Sequence, residues 1–194
     1  MGQNLEKKMK NADNTLEMAR KRVTELNLKH VVVASYTGRT ALKVAEAFKG
    51  MKVTLIAVVG WGERMRLKEE DRKELERLGV KIYRGTHTFH GASSAIVERF
   101  GGITEVGIIQ ETLRLFSQGT KVCVEIALMT ADAGLIPVNR EIMTLGGTGG
   151  WCDTAIVLKP SFANKLFDPI EGLQIREIVI MPRNKMVPEK IEKL

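Results

Sequence analysis

The stretch Val31–Thr40, VVVASYTGRT, decides how the rest of the chain is read. Val31, Val32, Val33 and Ala34 form a short β-branched run, the pattern expected of a parallel strand buried on both faces. Ser35, Tyr36, Thr37, Gly38, Arg39 and Thr40 follow without a spacer. A strand that ends in Ser, Thr, Gly and Arg and opens into a helix presents hydroxyls, backbone N–H groups, a guanidinium and a helix N-terminus to one phosphate. The competing account is an ordinary polar loop between a strand and a helix.

The flanking residues agree with a strand–turn–helix unit. From Thr40 to Lys49, Ala41, Leu42, Val44, Ala45 and Phe48 recur on a helical face, and Gly50 is placed to stop the helix. Val53 to Val59 supplies a second buried strand, so the three segments make a βαβ unit with a ligand crevice at the carboxyl ends of its strands. That second strand ends in Gly60-Trp61-Gly62, where Trp61 either covers a planar ligand or plugs a loop. Upstream, Asn14 as N-cap and Glu17 at N3 form a capping box, and Leu16, Ala19, Val23 and Leu26 carry a helix toward the first strand. The polar residues Met1 to Asp13 are expected to fray or to wrap the surface.

Further along, Leu67 to Leu78 reads as a charged outer helix ended by Gly79, and Val80 to Tyr83 as a third strand. The following loop, Thr86-His87-Thr88-Phe89-His90-Gly91, places two histidines at the same carboxyl edge. With no carboxylate or thiol close in sequence, the pattern favours ligand contact or plain loop structure over a metal, and no metal site is assigned. Ala92 to Phe100 and Thr104 to Phe116 are helical, and Thr120 to Ala133 reads as a buried helix. Glu125 in that last helix is either a buried acid or, as the pattern favours, a residue on a solvent-reaching face or in a capping contact.

Arg140 to Leu145 is a fourth strand that runs into Gly146-Gly147-Thr148-Gly149-Gly150-Trp151-Cys152-Asp153. Four glycines in five residues are expected to serve close approach to a ligand or positive φ rather than packing. The run lacks the Lys-Ser/Thr of a P-loop and is not the GxGxxG fingerprint. Asp153 either bonds a sugar or ring edge or ties down the turn. Thr154 to Leu158 and Ile175 to Met181 are further strands, separated by a helical turn within Ser161 to Phe167.

Composition bounds the reading. The 194 residues are 44% hydrophobic and 27% charged, enough for one good core, and are expected to form a single α/β domain over 1–194 with 1–13 and 183–194 as peripheral tails. The net charge of +7 favours anionic ligands, but Lys and Arg are interspersed with Asp and Glu, which is a solvated surface and not a nucleic-acid footprint. Cys123 and Cys152 show no CxxC spacing, so a reducing, cytoplasmic setting is expected. The apolar run Val53–Val59 is far too short to span a bilayer, and the charged N-terminus does not suit a signal peptide. A small phosphorylated ligand is the expected partner, with neither nucleic acid nor membrane, and a homo-oligomer is compatible.

Ser35-Tyr36-Thr37-Gly38-Arg39-Thr40-Ala41 resembles the effector-phosphate loop of the pyruvate kinase C-terminal domain. Together with QGTKVCVEIALMTADAGLIP (118–137) and GGTGGWCDTAIVL (146–158), it makes residues 14 to 182 similar to a mainly archaeal family of stand-alone proteins resembling that domain. The resemblance implies a three-layer α/β/α fold, with a mostly parallel sheet and an antiparallel edge strand. It implies FMN as the occupant of the crevice, with the phosphate on Ser35, Thr37, Gly38, Arg39 and Thr40 and with Gly146, Gly147 and Thr148 on the facing side. Tyr36, Trp61, His87 and Asp153 complete the expected site. The catalytic barrel of pyruvate kinase has no counterpart in these residues, so pyruvate kinase activity is not expected. The function expected is FMN or phospholigand binding. The alternatives are a flavin-dependent oxidoreductase using His87 or His90 as proton donor, and a regulatory sensor of sugar phosphates.

Overall fold

The computed structural model describes residues 2–60, 66–149 and 151–184, with side chains described from residue 11 onward. In chain order the elements are α1 (Gly2–Glu25), β1 (His30–Ala34), α2 (Arg39–Ala47), β2 (Thr54–Val59), α3 (Glu69–Arg77), β3 (Lys81–Arg84), α4 (Ala92–Phe100), α5 (Glu105–Arg114) and α6 (Gln118–Asp132). They are followed by β4 (Ile142–Gly146), β5 (Thr154–Lys159), a 3₁₀ turn (Ala163–Lys165) and β6 (Gln174–Ile180). The strands form one six-stranded sheet in the order β3-β2-β1-β4-β5-β6. β1 pairs in parallel with β2 and β4, and β2 with β3, while β5 is antiparallel to both β4 and β6. Only β5 is therefore reversed, because the short stretch 147–153 joins β4 to β5 where a parallel pair needs a helical crossover.

The alternation along β1 shows both faces covered. Val31 and Val33 join one core with Leu16, Ala19 and Val23 of α1, Ala41 and Val44 of α2 and Leu75 of α3. Val32 joins the other with Ile56, Val58, Ile156 and the α6 residues Cys123 and Ile126. Each of the three valines is fully buried, which explains the unbroken β-branched run. On the outer side of α6, Val124 and Leu128 pack with Phe89, Val106, Ile109, Leu113 and Leu166. α6 is thus packed between the sheet and α5, which accounts for the predominantly apolar run along it. The result is a three-layer α/β/α fold with a mostly parallel sheet.

The N-terminal reading needs correction. α1 begins at Gly2, and the expected cap, Asn14, lies inside it. Thr15 Oγ1 donates to the Asn11 carbonyl at 2.8 Å, a bond made within the helix, and Ala12, Leu16, Ala19 and Val23 are buried along it. No Gly or Pro interrupts residues 3–28, so once the stripe is docked the polar upstream turns simply continue the helix. No helix among the described residues is long and apolar enough to cross a membrane.

Candidate functional site

At the carboxyl end of β1, the Ser35 N–H donates to the Val58 carbonyl at 2.9 Å and so extends the sheet by one residue. The buried Ser35 hydroxyl then accepts the Ala41 N–H at 3.1 Å. It does the work of an N-cap for α2, because the cap position itself is Gly38 with φ +86°. A side chain at Gly38 would be strained and its Cβ would lie 2.5 Å from Leu67 Cδ1, so this glycine serves helix entry and packing on α3. Tyr36 and Arg39 are exposed, and Thr37 and Thr40 half-buried, around the start of α2.

Opposite this turn, α6 contributes Gln118, Lys121, Val122 and Glu125, spaced to share one helical face. The Glu125 side chain is fully buried. One carboxylate oxygen meets His87 Nδ1 at 3.0 Å and Lys121 Nζ at 2.5 Å. The other accepts the Phe89 N–H at 3.0 Å and meets His90 Nδ1 at 3.2 Å. Burial alone would raise this carboxyl's pKa, but the hydrogen bonds from His87 and His90 and the Lys121 charge outweigh it and hold the group well below the usual carboxylate range. A carboxylate can only accept, so each imidazole presents its Nδ1–H to Glu125. The loop is fixed from behind by Gln110 Nε2, which donates to the Phe89 carbonyl at 2.8 Å.

His87, His90 and Glu125 each place a potential ligand atom within 4.8 Å of the others. Four donors already converge on the Glu125 carboxylate, and one is an ammonium. A divalent ion there would sit against the Lys121 charge, so the arrangement suits a proton-bearing network better than a metal.

The 146–153 loop corrects a second expectation. A Cβ on Gly147 would fall 1.7 Å from the Trp151 carbonyl oxygen, and one on Gly146 would fall 2.8 Å from the Gly119 carbonyl oxygen and 3.1 Å from Cys123 Sγ. These two glycines are required by the chain's own packing. Gly149, at φ +63°, lines the pocket with open space around it, and Gly150 lies outside the described residues. Asp153 folds back on its loop, accepting from the Thr148 N–H at 3.3 Å and from Thr154 Oγ1 at 2.7 Å. Burial raises its pKa, partly offset by those bonds, so Asp153 ties down the turn. Ser117 Oγ reaches Thr120 Oγ1 at 2.9 Å and Thr154 Oγ1 at 3.2 Å, joining the start of α6 to this loop. Burial also pushes up both thiols, Cys152 to about 12, so neither is an activated nucleophile.

These walls enclose a pocket of about 370 Å³. Its lining brings together Ser35, Tyr36, His87 and Gly147 from the expected site. The Tyr36 and His87 rings lie parallel within 6°, with centroids 5.9 Å apart, and the His87 and His90 rings meet edge-on. Thr37, Gly38, Arg39 and Thr40 stand beside the pocket at the start of α2, whereas Gly146, Thr148 and Asp153 support its loop from outside the lining. Trp61 lies outside the described residues. The pocket also gains residues that sequence reasoning did not place in it: Arg114, Gln118, Lys121, Glu125 and Trp151. The first four recur at intervals of 4, 3 and 4, a helical signal present in the sequence but split between α5 and α6.

Among solved structures, a crystal structure of a pyruvate kinase from Cryptosporidium parvum matches with a TM-score of 0.40 and 17% identity, over 73% of this chain and 21% of that one. This chain therefore spans about a fifth of that protein's length. The family described as the pyruvate kinase alpha/beta domain matches residues 13–158, most of the sheet and all of the pocket walls described above, and the chain belongs to that family.

Proposed function

We propose that this protein binds FMN or a closely related phosphorylated aromatic ligand in the pocket between β1 and α6. One observation carries the reading: a strand–turn–helix unit suited to a phosphate opens beside a pocket of about 370 Å³ with aromatic walls. That volume falls within the range of small-molecule sites, about 300–1,000 Å³. The residues fit the group. The start of α2 and the Arg39 guanidinium would hold the phosphate, and Tyr36 and Trp151 would pack against a planar ring system. FMN, when bound, supplies reversible electron transfer.

Titration of the purified protein with FMN, read by flavin fluorescence and thermal unfolding, tests the proposal. Binding is expected, with a stabilisation of about 2.7 kcal/mol at 100 times Kd. Riboflavin is expected to bind at least about tenfold more weakly, since it lacks the anion that α2 and Arg39 would receive. Equal affinities would remove the phosphate turn from the site. Competition by a sugar bisphosphate would favour the sensor reading instead.

A second reading, a flavin-dependent oxidoreductase, is favoured by the His87–Glu125 contact at 3.0 Å. A carboxylate on Nδ1 orients the His87 ring in the pocket wall, within reach of a proton on whatever occupies the pocket. Reduction of the bound flavin by NADH or NADPH, followed by turnover of an acceptor, separates the enzyme from the binding protein.

A further inference from the structure

The α4–α5 side of the molecule carries a surface that ligand binding does not use. Of the 14 exposed large apolar side chains among the described residues, seven fall between residues 96 and 116. Phe100 and Ile103 stand out at 79% and 83% exposure, and Ile96, Ile108 and Leu115 are each more than half exposed. Neither α4 nor α5 contains a buried residue. Between the two helices runs a groove of about 730 Å³, lined by Val97, Ile103, Ile108 and Leu115. An exposed Phe100 and an apolar groove thus adjoin on one patch.

We infer that this patch is the contact between two copies of the chain. Three observations select a second copy as the occupant. The first is shape: Phe100, outside the groove lining, stands three residues from the groove-lining Ile103, so a two-fold contact can seat the Phe100 of each copy in the groove of the other. The second is area. At roughly 200 Å² for a fully exposed large apolar side chain, the seven residues offer about 800 Å², the amount each partner contributes to a standard stable interface. The third is charge. The chain carries +7 overall, so two copies repel, yet residues 92–116 hold Glu98, Glu105 and Glu111 against Arg99 and Arg114, a net of −1. This is a face on which like molecules meet without the repulsion of the cationic remainder.

The contact also reaches the ligand pocket. Phe89, His90 and Gln110 line the inner end of the same groove, so the partner rests on the loop whose Phe89 N–H and His90 ring bind Glu125.

Sedimentation velocity of the full chain at low micromolar concentration tests the inference. A self-associated species is expected, at twice the 21.6 kDa chain mass or a multiple of that dimer. Phe100→Glu and Ile103→Glu are expected to weaken the association by at least about 30-fold each, with the circular dichroism spectrum unchanged because both side chains are exposed. A monomeric parent protein overturns the inference, as does an assembly that survives both substitutions. A monomer that co-sediments with anionic lipid vesicles through Phe100 would assign the patch to a membrane surface instead. The outcome does not depend on FMN, which is absent from the experiment.

Discussion

The turn after β1 and the face of α6 look onto the same pocket but are assembled by opposite means. The turn is local: Ser35, Gly38 and Ala41 hold one another within seven residues, largely through backbone groups. The α6 wall is remote, since Glu125 is bonded to His87, Phe89 and His90 across 35 to 38 residues. The first wall spends few side chains on its own structure and leaves Arg39 and Tyr36 exposed to a ligand. The second is a buried charge network whose loss would be felt by the fold before it was felt by a ligand. Stability and binding should therefore separate cleanly between the two walls.

The largest effect should come from Glu125→Ala. It removes the buried carboxylate on which Lys121 Nζ, the Phe89 N–H and both imidazoles converge, and a loss of about 3–5 kcal/mol in urea unfolding is expected. A loss below about 1 kcal/mol would mean that the network contributes little and would dissolve the contrast. The same group sets an acid limb. Its folded pKa is depressed, so its stabilisation is complete above the ordinary carboxylate value of 4.5 and drains away as pH falls below it. Unfolding measured from neutral pH down to pH ~3 should show this slope in the parent protein and a flatter one in Glu125→Gln.

Arg39→Ala should do the reverse, costing about 1.5–3 kcal/mol of FMN binding while folding stability stays within about 0.5 kcal/mol. An unchanged affinity in calorimetry would take Arg39 out of the site. Gly38→Ala probes the structural part of the same turn. Strain at φ +86° and the Leu67 contact should destabilise the fold by about 1–3 kcal/mol, measured by denaturant midpoint. The smallest effect belongs to Asp153→Asn. Because burial disfavours the charged form of Asp153, neutralising it should change stability by less than about 1 kcal/mol, with FMN affinity unaltered. A large loss of affinity would return Asp153 to the ligand.

The same contrast governs how much could be read from residue order. Val31–Ala34, Val53–Val59 and the helix Ala92–Phe100 announce themselves because each depends on a periodicity of its own residues, and the structure places β1, β2 and α4 there. The strand–turn–helix unit from β1 to α2 is legible for the same reason. Glu125 is not: apart from Lys121 one helical turn away, its partners sit in the 86–91 loop, and only the packing of that loop onto α6 turns an acid among apolar residues into the centre of a network. Gly146 and Gly147 show the complementary limit. Their requirement comes from Trp151, Gly119 and Cys123, so a glycine run that suggests a ligand loop is in part a record of tight packing. Asn14 misleads because a residue fit to begin a helix is also tolerated within one when nothing upstream breaks it.

The hydroxyl chain from Ser117 through Thr154 to Asp153 has a mechanical meaning. It rivets the first turn of α6 to the loop that presents Gly147 and Trp151, so the floor of the pocket and one of its sides form a single stiff jaw. The opposing jaw, the β1 turn, shares none of those bonds. A ligand that grips both jaws would be the bolt that joins them.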